Sequence, residues 1–166
     1  MREISKTEFD NIIKDIDENK EFQKTKKIIH HSTNRYEHSK RVAYNSYVIA
    51  KKLGLDYTET ARAGMLHDFF LVDNKDIHFR DKITTLVNHP KYALKYSEKF
   101  FDLSEKEKNI IVSHMFPVLP TRVPKFLESW IVNLVDDYVA IKEEWNAKKK
   151  EAVGFANLIL AFLLLD

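Results

Sequence analysis

Apolar residues fall three or four positions apart over most of this chain, and almost nowhere in strict alternation. Ile4, Phe9, Ile12, Ile13 and Ile16 keep helical spacing and predict an amphipathic helix from Ile4 to about Lys20. A shorter helix is expected from about Glu21 to His31, carrying Phe22, Ile28 and Ile29 and ending in His30 and His31. Ser32-Thr33-Asn34 offers cap residues for a helix from about Arg35 to Leu53, closed by Gly54, with His38, Val42, Ile49 and Leu53 on its apolar face. The next helix starts at Asp56 or Thr58 and runs to Phe70. Leu71 to Lys82, which contains His78, reads as a charged irregular connection, and Ile83 to Val87 as a loop, a turn of helix or a lone extended piece. Asn88-His89-Pro90 has the form of a helix start, with Asn88 as cap and proline in the first turn. That helix runs to about Phe101, with Tyr92, Ala93 and Tyr96 on the His89 side. Ser104-Glu105-Lys106-Glu107 is a capping box, and the helix it opens ends near His114. Met115 to Pro124 holds three prolines and reads as a loop. Lys125 to about Lys150 is a long helix with Trp130, Ile131, Leu134, Val135, Tyr138 and Ile141 on its apolar side, interrupted by Asp136-Asp137. Ala152 to Leu165 is almost wholly apolar but shorter than the roughly 20 residues a bilayer requires. It is expected to cover the core or form a subunit interface, which points to a homodimer.

The pattern describes an all-α, single-domain, multi-helix bundle over residues 1–166. Its core spans about 30–145, with N-terminal helices (1–30) and an apolar C-terminal helix (151–165) packed on it. Only 3 glycines and 4 prolines argue against turn-rich β architecture. The net charge of +2, with lysines and acids interleaved, argues against a nucleic-acid binder. The first residues carry no apolar signal region, so a cytoplasmic protein with no membrane partner is expected. The chain has no cysteine, so any metal must be held by His, Asp and Glu. Such ligands suit iron or manganese first, with zinc, cobalt or nickel as other choices.

Gly64-Met65-Leu66-His67-Asp68 ends an apolar run in two groups that are costly to bury, and a metal ion would be a partner for them. Singly, each histidine has a structural explanation. Together, His38, His67, Asp68, His89, His114 and Asp136 come from five separate helices and fall on inward faces or helix ends. Four imidazoles and two carboxylates can hold two divalent ions if one carboxylate bridges. The division is His38, His67, Asp68 and Asp136 for one ion, and His89, His114 and Asp68 for the other. Both ions would keep open positions, the mark of a catalytic site. Arg35, one turn before His38, is the first candidate for a phosphate clamp, with Lys91 and then Arg122 behind it.

The ordered set His38, His67-Asp68 and Asp136 resembles the HD-domain superfamily of metal-dependent phosphohydrolases. The surroundings are similar too: Arg35-Tyr36-Glu37-His38-Ser39, Ala63-Gly64-Met65-Leu66-His67-Asp68, and Leu134-Val135-Asp136-Asp137-Tyr138. The resemblance, over roughly residues 30–145, implies an all-α fold and Asp136 rather than Asp137 as ligand. His89-Pro90 and Ser113-His114-Met115 fall where the six-ligand, two-metal branch has its added histidines. It implies hydrolysis of a nucleotide or small phosphate ester by metal-activated water, with Asp68 as the catalytic, bridging carboxylate. Phe69-Phe70-Leu71-Val72 replaces the lysine-containing stretch of many family phosphodiesterases. There is no Gly-Tyr-Pro signature, and no Glu directly before the His-Asp pair. The substrate therefore does not carry over. The same ligands serve di-iron oxygenases that resemble inositol oxygenases, and a third alternative is a non-enzymatic nucleotide- or protein-binding module.

Overall fold

The computed structural model describes residues 5–30, 32–71 and 79–163. His31 and His78 lie outside the described residues. The chain is all-α: α1 (Lys6–Ile12), α2 (Lys14–Asp17), α3 (Lys20–Gln23), α4 (Arg35–Leu53), α5 (Tyr57–Leu66), α6 (Phe79–Ser97), α7 (Glu105–Ser113) and α8 (Leu127–Leu163). A 3-10 turn (Lys24–Lys27) follows α3. A two-residue antiparallel ribbon, β1 (Ile29–His30) on β2 (Thr33–Asn34), leads into α4.

Local chemistry explains most boundaries. Asn34 accepts the amide of Glu37 at 2.9 Å and starts α4, while Gly54, at φ 75°, ends it. Asp56, rather than Thr58, caps α5 by accepting from Glu59 N at 3.0 Å. Ser104 and Glu107 form the capping box that opens α7.

Four expectations are corrected. The first helix breaks at Ile13, a buried residue that is both the C-cap of α1 and the N-cap of α2. The second stops at Gln23, and His30 lies in a strand rather than at a helix end. Residues 83–87, read as a loop, a turn of helix or a lone extended piece, are part of a continuous helix. α6 begins at Phe79, and Asn88 donates to Thr84 O instead of capping, so Pro90 sits inside the helix. Finally, α8 does not stop at Lys150 but runs unbroken to Leu163.

Phe9, Ile13, Ile16, Phe22, Val42, Tyr47, Met65, Leu66, Phe69, Ile110, Ile111 and Val132 form the core. At its centre α5 lies against α4 at Gly64. A Cβ on Gly64 would stand 2.8 Å from Ala43 Cα, a backbone atom that cannot rotate away. Gly64→Ala should therefore separate the two helices and lower stability by about 1–3 kcal/mol, or several degrees of Tm. An unchanged melting curve would show the contact to be slack.

Candidate metal centre

Each of the six sequence-picked residues hangs from a different position of the bundle, and five are deeply buried. His38 stands in the first turn of α4, His67 and Asp68 at and just beyond the end of α5, and His89 within α6. His114 caps the end of α7, and Asp136 lies within α8. Exposure is 0% for His38 and His67, 2% for Asp68 and His114, and 8% for His89. Asp136 is partly open, at 14% of its side chain.

The imidazoles form a chain. His67 lies between His38 and His114, with ring centroids 5.5 and 5.0 Å away, and His89 is 4.9 Å beyond His114. Their tautomers are set from behind. His67 Nδ1 bonds Gly64 O at 2.8 Å, His114 Nδ1 bonds Ile111 O at 2.8 Å, and His38 Nδ1 bonds Glu143 Oε2 at 3.0 Å. Each ring thus donates from Nδ1 and turns Nε2 toward the cluster, the arrangement of a metal-ligating histidine.

Carboxylates meet those Nε2 atoms. Asp136 Oδ1 is 2.8 Å from His38 Nε2 and 3.5 Å from His67 Nε2. Asp68 Oδ1 is 3.4 Å from His89 Nε2 and 3.7 Å from His114 Nε2. Two groups could therefore hold an ion: His38, His67 and Asp68, and Asp68, His89 and His114, the ligand atoms of each group lying within 4.8 Å of one another. Asp68 belongs to both. His67 Nε2 is buried without a hydrogen bond, and His89 Nε2 faces His114 Nε2 at 2.9 Å. Nitrogens crowded in this way are stabilised by a shared cation, so the donor set fits divalent metal.

Charge divides across the cluster. Burial opposes the charged form of His38, but its hydrogen bonds to Asp136 and Glu143 prevail and push it up to about 10. His67 is raised against the same burial by Asp136. Desolvation opposes the charge of Asp136, yet His67 and His38 hold it well below the usual carboxylate range. His114 is pushed down to about 4 by burial and by the neighbouring His89 and His67, and is neutral at pH 7.

Two supporting residues escaped the sequence reading. Glu143, buried and one heptad beyond Asp136 on α8, holds His38 Nδ1 and receives Arg41 Nη1 at 2.7 Å. The seven-residue offset from Asp136 was the available signal. Asn133 donates to the carbonyls of His114 and Phe116 at 2.5 and 2.6 Å and fixes the segment that carries His114. Glu143→Ala should weaken metal binding about 10–100-fold, as loss of a ligand's orienting carboxylate does elsewhere. Competition against a chromogenic chelator measures it, and wild-type affinity would remove Glu143 from the site. A cleft of about 490 Å³ between α4 and α8, lined by Arg41, Asn45, Tyr138 and Lys142 among others, reaches Glu143. It lies on the Nδ1 side of His38, away from the ligand-facing nitrogen.

The cations fare differently from expectation. Arg35 is 1% exposed, donates to Phe70 O, and lies 3.8 Å from the Phe70 ring centroid. Phe70 in turn stacks on His89 at 5.7 Å. Arg35 is thus a buried brace for the segment after Asp68, not a residue at a mouth. A helix-start arginine gives no sign of this in sequence. Lys91 stands exposed on α6, two residues past His89. Arg122, in the loop after α7, has a buried Nη1 with no hydrogen bond.

The HD domain family model matches residues 35–141, which contain all six residues. The chain belongs to the HD domain family. No curated protein and no solved structure matches this HD domain significantly. Among the described residues, no helix is long and apolar enough to cross a membrane.

Proposed function

We propose that this HD domain is a metal-dependent phosphohydrolase of the six-ligand, two-metal kind, cleaving a nucleotide or another small phosphate ester. One observation carries the reading: two His/Asp groups meet at the single carboxylate of Asp68 inside an HD fold. His38, His67, Asp68 and Asp136 would hold one ion, and His89, His114 and Asp68 the other. Ions held there would acidify a water and neutralise charge on the phosphoryl oxygens. The chain's own part is to fix geometry and exclude solvent. Asp68 ties both halves of the site together. Gly64 O, Ile111 O and Glu143 hold three rings with Nε2 inward. Phe70, stacked on His89, walls one side. Lys91 and Arg122 replace Arg35 as candidate phosphate contacts, Arg122 because a buried guanidinium nitrogen lacking an acceptor suits an anion.

Elemental analysis of the purified protein beside His89→Ala, followed by phosphate release from a panel of nucleotides and phosphomonoesters, tests the reading. About two metals per chain, about one in the variant, and release abolished by chelation are expected. No metal after reconstitution with iron or manganese would overturn the enzyme reading. Iron with oxygen uptake and no phosphate release would move the chain to the oxygenase alternative.

A further inference from the structure

Among its described side chains, α8 carries two apolar stripes, of which one faces the protein. Val132, Val135 and Val139 are buried at 0–5% exposure. The residues assigned in sequence to the inward side are largely on the other. Leu127 is 64% exposed, Leu134 61%, Tyr138 56%, Ile141 70% and Trp145 71%, with Trp130 at 37%. Periodicity alone cannot say which of two stripes turns inward; the burial of Asp136 and Glu143 beside His38 settles it here.

The outward stripe has heptad order. Leu127, Leu134 and Ile141 occupy one core position of the repeat, and Tyr138 and Trp145 the other, while Ile131, at that same position one heptad earlier, packs partly on the core. A dent of about 350 Å³ lined by Ala140, Ile141, Glu144, Trp145 and Lys148 opens beside it. The six exposed residues present roughly 700 Å² of side chain, close to the about 800 Å² per partner of a standard interface and above the usual patch on a monomer.

The flanks say what covers it. Asp137 and Glu144 border one edge of the stripe, and Lys142 and Lys149 the other. In a parallel helix pair, a residue on the first edge meets the partner residue five positions further on along the second edge. Asp137 then meets Lys142 of a second copy, and Glu144 meets Lys149. An antiparallel pair would set acid against acid and lysine against lysine. We infer that α8 associates with α8 of a second copy of this chain, in parallel and in register, through Leu127, Leu134, Tyr138, Ile141 and Trp145.

Light scattering and sedimentation of the full chain test the pairing. The expected particle holds two chains of 19.6 kDa. Ile141→Glu should raise the dissociation constant about 100-fold or more by burying charge at the centre of the contact. Glu144→Lys and Lys149→Glu each set like charges together and should weaken the pair alone, while mixing the two variants should restore it. These are surface changes, so they report even where Ile141→Glu disturbs folding. Because the chain has no cysteine, Leu134→Cys and Ile141→Cys introduce single thiols. In register, each variant should cross-link to itself. A monomer at micromolar concentration, a dimer indifferent to Ile141→Glu and to the charge exchange, cross-linking at only one of the two positions, or a monomer that floats with anionic lipid vesicles would each overturn the inference.

Discussion

Asp68→Ala should yield a folded protein with neither metal and no measurable phosphate release. The reason is the sharing: Asp68 is the one residue common to both ligand groups. Losing a ligand from only one group should leave the other loaded, as expected for His89→Ala. Losing Asp68 leaves two imidazoles on each side, with Asp136 near only the first pair. The fold should tolerate the change. Asp68 is 2% exposed, and a carboxylate at that depth is costly unless it is paired. Far-ultraviolet circular dichroism should match wild type, and Asp68→Asn, which keeps the shape, should behave in the same way. Retention of two metals in either variant would show that the groups do not meet at this carboxylate, and the dinuclear reading would fail with it.

Metal affinity should rise with pH, by about tenfold per unit for each proton displaced. In the metal-free protein His38 is pushed up to about 10, because its hydrogen bonds to Asp136 and Glu143 outweigh burial. His67 is raised as well, against its burial, by Asp136. His38 therefore holds at neutral pH a proton that ligation at Nε2 must expel, and His67 is biased in the same direction. Between pH 6 and 8 the apparent dissociation constant should fall about 100-fold for each such proton. Calorimetric titration in buffers of different ionisation enthalpy counts those protons. The linkage to stability follows. A raised histidine stabilises the metal-free fold fully below its unfolded value of about 6.5 and loses that contribution as pH climbs toward about 10. His114, pushed down to about 4, acts in the opposite sense: its contribution is present above about 6.5 and is lost as pH falls toward 4. The Tm gap between metal-loaded and chelated protein should accordingly widen from pH 6 to pH 9. A constant gap, or an affinity independent of pH, would show that the His38 proton is not held as described.

The residues of the candidate centre were legible because they break local rules. His67-Asp68 closes an apolar run, and His114 falls on the inward side of a capped helix, where a polar group needs a reason. Caps were legible for the same reason, as at Ser104 and Gly54. Arg35 was misread because a charged residue at a helix start is ordinarily solvated. Its burial depends on Phe70, thirty-five residues away. Glu143 was missed because it belongs to a charged helix with many acids, and only the fold of α4 against α8 selects it. The inward side of α8 was ambiguous because both stripes satisfy the same period. The α6 start was lost because Asn88 and Pro90 imitate a cap.

His67 and His114 each directly follow a helix, as the C-caps of α5 and α7. Two bundles of peptide dipoles therefore direct their negative ends at one spot, each equivalent to about half an electron charge. Added to Asp68 and Asp136, and not fully offset by the proton on His38, this makes the metal-free centre favour cations over phosphate. Under the proposed phosphohydrolase reading, binding should be ordered: cation first, phosphate ester second. Substrate present without metal should not protect the protein against heat.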